Sequence, residues 1–191
     1  MKEYESREFR QIEYKEEIKE INFTDCEFYN CTINEIEIRN CNFRSCKFYN
    51  CTVLNVKFKF TDMLDCEFYK CLLIGVNWTD LAQKFSVTKP FTKVEACELR
   101  YHIFERFNLK AFSFKECSLE GSIFEDCNLE GASFEGCNLK ETQFKNNNMT
   151  KADFRDAKDF AINIYENKVK NAKFSYPEAI SLLTEIGIKL S

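Results

Sequence analysis

Glycine, proline and histidine are scarce in this chain of 191 residues, which holds five Gly, two Pro and a single His. The sequence contains no glycine-rich loop to cradle a phosphate, no histidine beside a nucleophile and no C-x-x-C pair or other metal-ligand spacing. These absences predict a protein without catalytic residues, cofactor or metal. His102 has no evident partner in the sequence and reads as a core or joint residue rather than a general base. Charge of one sign is missing as well: 27 basic against 31 acidic side chains leave a net −4, without the basic surplus that phosphate contacts need, so no nucleic-acid partner is expected. No run approaches the roughly 20 apolar residues of a membrane helix, and the segment from Met1 to Glu20 is too densely charged for a signal peptide. A cytoplasmic location with reduced thiols is the expectation.

What the chain has in excess is phenylalanine, 20 residues, and cysteine, 11 residues. The aromatic content excludes disorder, and an odd number of cysteines excludes a complete set of internal disulfides. Their placement is the informative part. An apolar residue recurs every fifth position from Phe23 through Phe28, Ile33, Ile38 and Phe43 to Trp78, and again from Leu99 through Phe104, Leu109 and Phe114 to Phe174. Of the 28 positions so spaced, only Asp159 is polar, and the neighbouring Phe160 is expected to take its inward role. All eleven cysteines fall two residues before one of these positions. Period five fits neither a helix nor a strand. A chain that turns a corner every five residues and closes after four sides does fit, and it stacks residues 20 apart. The segments Cys26 to Cys31, Cys46 to Cys51 and Cys66 to Cys71, which repeat one another at that interval, support this turn length.

The predicted fold is all-β: a right-handed quadrilateral β-helix in two segments with a short C-terminal α-helix. The expected organisation is an N-terminal cap over 1–20, about three coils over 21–78, an irregular joint or projecting loop over 79–98, about four coils over 99–174, and a helix within 175–191. Cysteine at the tighter inward corner behaves as a small buried hydrophobe, and parallel thiols suit neither a tetrahedral metal site nor a disulfide. Phe107 and Phe112, with His102, are too bulky for that corner and predict a distorted coil. The loop around Phe85, Lys89 and Phe91 is a candidate partner contact or a plain packing irregularity. Tyr29, Tyr49 and Tyr69 form an outward ladder, readable as a contact surface or as face-stabilising pairs. Glu120, Glu125, Glu130 and Glu135 form an acidic belt, one carboxylate per face. Signs alternate along each face, as in Glu120 followed by Lys140, so no continuous acidic stripe exists and a simple solvated surface is the competing reading.

The segment Cys127-Asn128-Leu129-Glu130-Gly131-Ala132-Ser133-Phe134-Glu135-Gly136 resembles the repeat of the pentapeptide-repeat family: a small residue, Asp or Asn, Leu or Phe, then two variable positions. That resemblance implies a quadrilateral β-helix of about the width of duplex DNA. Tyr176, Ala179, Leu182, Leu183, Gly187 and Ile188 resemble the C-terminus of the Qnr type within this family, and Glu98-Leu99-Arg100 is similar to it too. The resemblance to the Qnr and MfpA types implies a homodimer through Ala179, Leu182, Leu183 and Ile186. It also implies DNA mimicry toward DNA gyrase or topoisomerase IV, with protection from quinolones. A general interaction scaffold with an unrelated partner is the alternative.

Overall fold

The computed structural model describes residues 1–81 and 91–189. It divides into two compact units, Met1–Glu98 and Leu99–Ser191. Each is a stack of four-sided coils whose neighbouring strands run parallel, and one short helix follows at the C-terminus.

In the first unit the opening coil consists of β1 (Lys2–Glu5), β2 (Glu8–Arg10), β3 (Glu13–Tyr14) and β4 (Ile18–Lys19). The next consists of β5 (Ile21–Thr24), β6 (Glu27–Tyr29), β7 (Thr32–Asn34) and β8 (Glu37–Arg39). Between strands a single residue turns the corner in the left-handed region, as at Asp25 (φ 51°), Asn30 (φ 53°) and Asn40 (φ 50°). Asn and Asp adopt that conformation at the least cost among residues with a Cβ. Coils are joined by backbone hydrogen bonds such as Lys47 N to Cys26 O and Asn30 N to Tyr49 O, both 2.9 Å. Phe28, Phe48 and Phe68 lie in register, with ring centroids 4.7 and 4.8 Å apart and nearly parallel planes.

Residues 1–20 do more than cap: they are a full coil, paired Tyr4 to Phe23, Phe9 to Phe28, Tyr14 to Ile33 and Ile18 to Ile38. The step from Tyr14 to Ile18 is four residues instead of five, which takes the earlier positions out of the register that begins at Phe23. A second difference lies at the expected joint. Phe91–Glu95 is a strand beside Cys66–Tyr69, with a shift in pairing between Cys66 and Glu67. The segment from Phe91 therefore belongs to the stack.

In the second unit many corners are β-turns closed by a hydrogen bond from the fourth residue to the first, as Ala132 N to Leu129 O and Cys137 N to Phe134 O. Gly121, Gly131 and Gly136 occupy the third place with φ near 67°, the conformation such turns require. At Gly121 the ring of Tyr101 lies where a Cβ would stand. Phe104, Phe124 and Phe144 stack face to face down one side, and each meets the rings of the adjoining side edge-on. The distortion expected around His102, Phe107 and Phe112 is not seen. All three are buried, and the backbone keeps its pairing, with Ile123 N to His102 O, Asn128 N to Phe107 O and Ser133 N to Phe112 O. Phe160 is buried and packs toward Phe154 and Phe174, with Asp159 turned out at φ 57°.

Candidate interaction surfaces

Each repeat sends its central residue and the one two before it inward, leaving the two flanking residues and the corner residue outside. Wherever the inward corner column carries a thiol, hydroxyl or amide, that group can act as a hydrogen-bond donor. Cys46 Sγ reaches Phe23 O at 3.5 Å, Cys51 Sγ reaches Phe28 O at 3.4 Å and Cys127 Sγ reaches Phe104 O at 3.3 Å, each 23 residues upstream. At some positions without cysteine another donor serves the equivalent carbonyl, whereas Val56, Val76, Ala132, Ala152 and Ala157 fill the corner with no side-chain donor. Thr61 Oγ1 donates to Ile38 O, Ser122 Oγ to Leu99 O, Thr142 Oγ1 to Leu119 O and Asn147 Nδ2 to Phe124 O, at 2.9 to 3.1 Å. All eleven cysteines are free and buried. Burial pushes Cys127 up to about 11 and Cys137 up to about 12, so these two thiols are protonated and unreactive at neutral pH.

Among the described residues no group of three or more His, Cys, Asp or Glu is placed to hold a metal ion, and no helix is long and apolar enough to cross a membrane. Among the described residues, the interior of the first unit holds a cavity of about 20 Å³, lined by side chains including Phe43, Phe58, Met63 and Trp78. It is water-sized and apolar, too small for a metabolite. An open polar groove of about 420 Å³ crosses the second unit beside Asp126, Asn146, Asn148, Glu166 and Lys168.

The tyrosine ladder is closed at both ends. Tyr29 and Tyr49 stack at 4.8 Å, and Tyr49 and Tyr69 at 5.0 Å. The Arg10 guanidinium covers Tyr29 at 4.0 Å and Lys93 Nζ covers Tyr69 at 4.7 Å. The hydroxyl of Tyr29 donates to Glu27 at 2.6 Å, and that carboxylate pushes the phenol up to about 12. Tyr69 bonds Glu67 in the same way. With both outer ring faces occupied, the column works as a stabiliser of its own face.

The acidic belt is intercalated between lysines of the coils on either side. Glu130 meets Lys110 at 3.0 Å, Glu135 meets Lys115 at 3.1 Å and Glu120 meets Lys140 at 3.1 Å. Glu125 lies in register between Glu105 and Lys145. All four carboxylates are half-buried.

Phe91 requires a correction. It is 1% exposed, with its ring 5.1 Å from that of Trp78 and 6.4 Å from that of Phe68, so it is core and unavailable to a partner. A twenty-residue repeat interrupted by extra chain hides which side of the interruption a residue packs on. Phe85 and Lys89 lie outside the described residues.

At the C-terminus a single 3-10 turn, Glu178–Ile180, leads into α1 (Ser181–Glu185). It ends in a Schellman motif: Gly187, at φ 83°, donates to Thr184 O and Ile188 donates to Leu183 O. Ala179, Leu182 and Ile186 are half-buried, whereas Leu183 and Ile188 are 38% and 45% exposed.

No curated protein sequence matches the chain. Among solved structures, a trypsin-treated form of QnrB1, described as a plasmid-mediated fluoroquinolone resistance protein, is similar at 12% identity with a TM-score of 0.68, covering 100% of this chain and 99% of that one. At that identity the likeness is one of fold. HetL, a pentapeptide repeat protein involved in heterocyst differentiation regulation from the cyanobacterium Nostoc, aligns at 10% identity over 90% of this chain and 84% of its own, with a TM-score of 0.37. Residues 91–174 match the family described as "Pentapeptide repeat region". The chain is thus a β-solenoid that carries a pentapeptide repeat region over residues 91–174, with coils of the same stacking preceding it.

Proposed function

We propose that the chain acts by protein–protein interaction through the outer faces of its coils, and that its partner in the cytoplasm is a type II topoisomerase, DNA gyrase or topoisomerase IV. The observation that supports the interaction role is the packed interior of the described residues, whose first-unit cavity of about 20 Å³ is too small for a metabolite, so that among the described residues the outer faces offer the surface for recognition. The likeness of fold to QnrB1 and the resemblance of the C-terminal residues to the Qnr type support the choice of partner. On this reading Glu120, Glu125, Glu130 and Glu135 stand where phosphates would stand on a duplex and attract a basic groove. A pair of solenoids joined through Ala179, Leu182, Leu183 and Ile186 presents that pattern twice. Protection from quinolones follows if the protein and the drug-trapped DNA compete for one groove.

The lysine partners of the belt favour a second reading, a scaffold for a different protein, because they neutralise the carboxylates a DNA mimic would offer. A gyrase supercoiling assay at stoichiometric excess of this protein, with and without a fluoroquinolone, separates the two. Inhibition or protection supports the topoisomerase reading, and neither effect leaves the scaffold reading.

A further inference from the structure

The strands of the opening coil, β1 to β4, are the outermost strands of the four sheets in the first unit. Bonding between later coils shows which backbone groups face that open side. The residue before each inward one donates to the preceding coil, as Glu27 N does to Arg7 O and Thr32 N to Ile12 O. The residue after it accepts there, as Tyr29 O does from Gln11 N and Arg39 O from Glu20 N. In the opening coil the equivalent residues are Glu8 and Arg10 around Phe9, Glu13 and Lys15 around Tyr14, and Glu17 and Lys19 around Ile18. On three of four faces a carboxylate precedes the centre and a cation follows it.

Such a strand is complementary to itself in one orientation, the antiparallel one. A two-fold axis across a four-sided coil returns two opposite faces onto themselves and exchanges the other two. With the axis through β1 and β3, Glu13 opposes Lys15 of another copy with Tyr14 against Tyr14, and β2 meets β4, so that Glu8 opposes Lys19 and Arg10 opposes Glu17. The backbone is in phase with this arrangement. Both flanking residues aim N–H and C=O at the open side while the central one bonds inward, which is the alternation of bonded and non-bonded pairs that an antiparallel ladder uses. The fourth strand, with Glu3 and Glu5 around Tyr4, adds one repulsive pair per copy. Tyr4, Phe9, Ile12 and Tyr14 are only half-buried, whereas Phe23, Phe28 and Ile33 one coil further in are 2 to 5% exposed. Ion pairs within the strands, Arg10 with Glu8 at 2.8 Å and Lys15 with Glu13 at 3.1 Å, lie in the open and hold the charges weakly.

We propose that this edge is a self-association surface, on which a second copy of the chain stacks its own opening coil with strands antiparallel. Charged edge strands commonly repel other strands. Here the same charges reject a strand of any other pattern and accept this one.

The test is sedimentation velocity on the full chain carrying Leu183→Glu, which removes the C-terminal helix from consideration and keeps the result separate from the topoisomerase reading. Two further versions carry E13K/E17K, making two edge strands wholly cationic, or K15E/K19E, making them wholly anionic. The expected result is a reversible dimer for the unaltered edge, about tenfold or more weaker association for each altered edge alone, and tighter association in their equimolar mixture than in either alone. Circular dichroism melts confirm folding. A salt series on the unaltered edge is a measurement free of edge substitutions, and association should fall as salt rises. A chain that stays monomeric at millimolar concentration, a mixture no tighter than its components, or association that strengthens with salt overturns the proposal.

Discussion

Alanine in place of Cys51 takes away the thiol that donates to Phe28 O and Tyr49 O, at 3.4 and 3.5 Å, inside a site 1% exposed. Serine keeps a donor, and Ser122 and Thr61 already occupy equivalent positions with hydroxyl bonds of 3.0 to 3.2 Å. Cys51→Ala should therefore lower stability by about 1 to 2 kcal/mol, and Cys51→Ser by less. Urea unfolding monitored by circular dichroism checks the order. If cysteine served only as a small hydrophobe, serine would be the worse substitution. The sequence made the spacing of the thiols plain, since all eleven fall in one register. It did not reveal the donor role, because the acceptor is a backbone carbonyl 23 residues away whose direction only the coil geometry sets.

Corners are the element on which the fold turns, and they differ in how well their residues suit a positive φ. Phe60 has φ 49° and is 69% exposed, so it carries the steric cost of the left-handed region with little burial in return. Its counterpart one coil earlier, Asn40, adopts φ 50°. Phe60→Asn should raise stability by about 1 kcal/mol, read as a higher midpoint in thermal denaturation with unchanged spectra. Corner spacing was also where the sequence was most and least legible. Regular steps of five reveal the sides from Phe23 onward, whereas the single step of four before Ile18 makes a complete coil read as a cap. The pairing shift at Cys66 makes Phe91, a core ring, read as part of a loop.

For the molecule as a whole, the open question is which surfaces meet other proteins. The acidic belt was legible as a row of carboxylates, and the alternation of sign along each face pointed to its neutralisation. The half-burial of those carboxylates came only with the stacking of coils, which brings Lys110, Lys115 and Lys140 within 3.0 to 3.1 Å. A C-terminal dimer through Ala179, Leu182, Leu183 and Ile186 predicts that Leu183→Glu shifts the chain toward monomer. The comparison is best made with E13K/E17K present, so that the opening coil does not contribute. A dilution series followed by light scattering reads it, and an unchanged mass would dismiss the C-terminal contact.

The inward donor column gives each stack a polarity. A donor at one corner serves a carbonyl of the coil before it, so each such side chain latches its coil to the one that precedes it in the chain. In the second unit Asn147 latches Phe124 and Asn167 latches Phe144, while Ala172, at the next corner, carries no side-chain donor. Opening from the C-terminal side can then proceed like a zipper, one coil at a time, whereas a break at an interior latch must also part the coil stacked upon it.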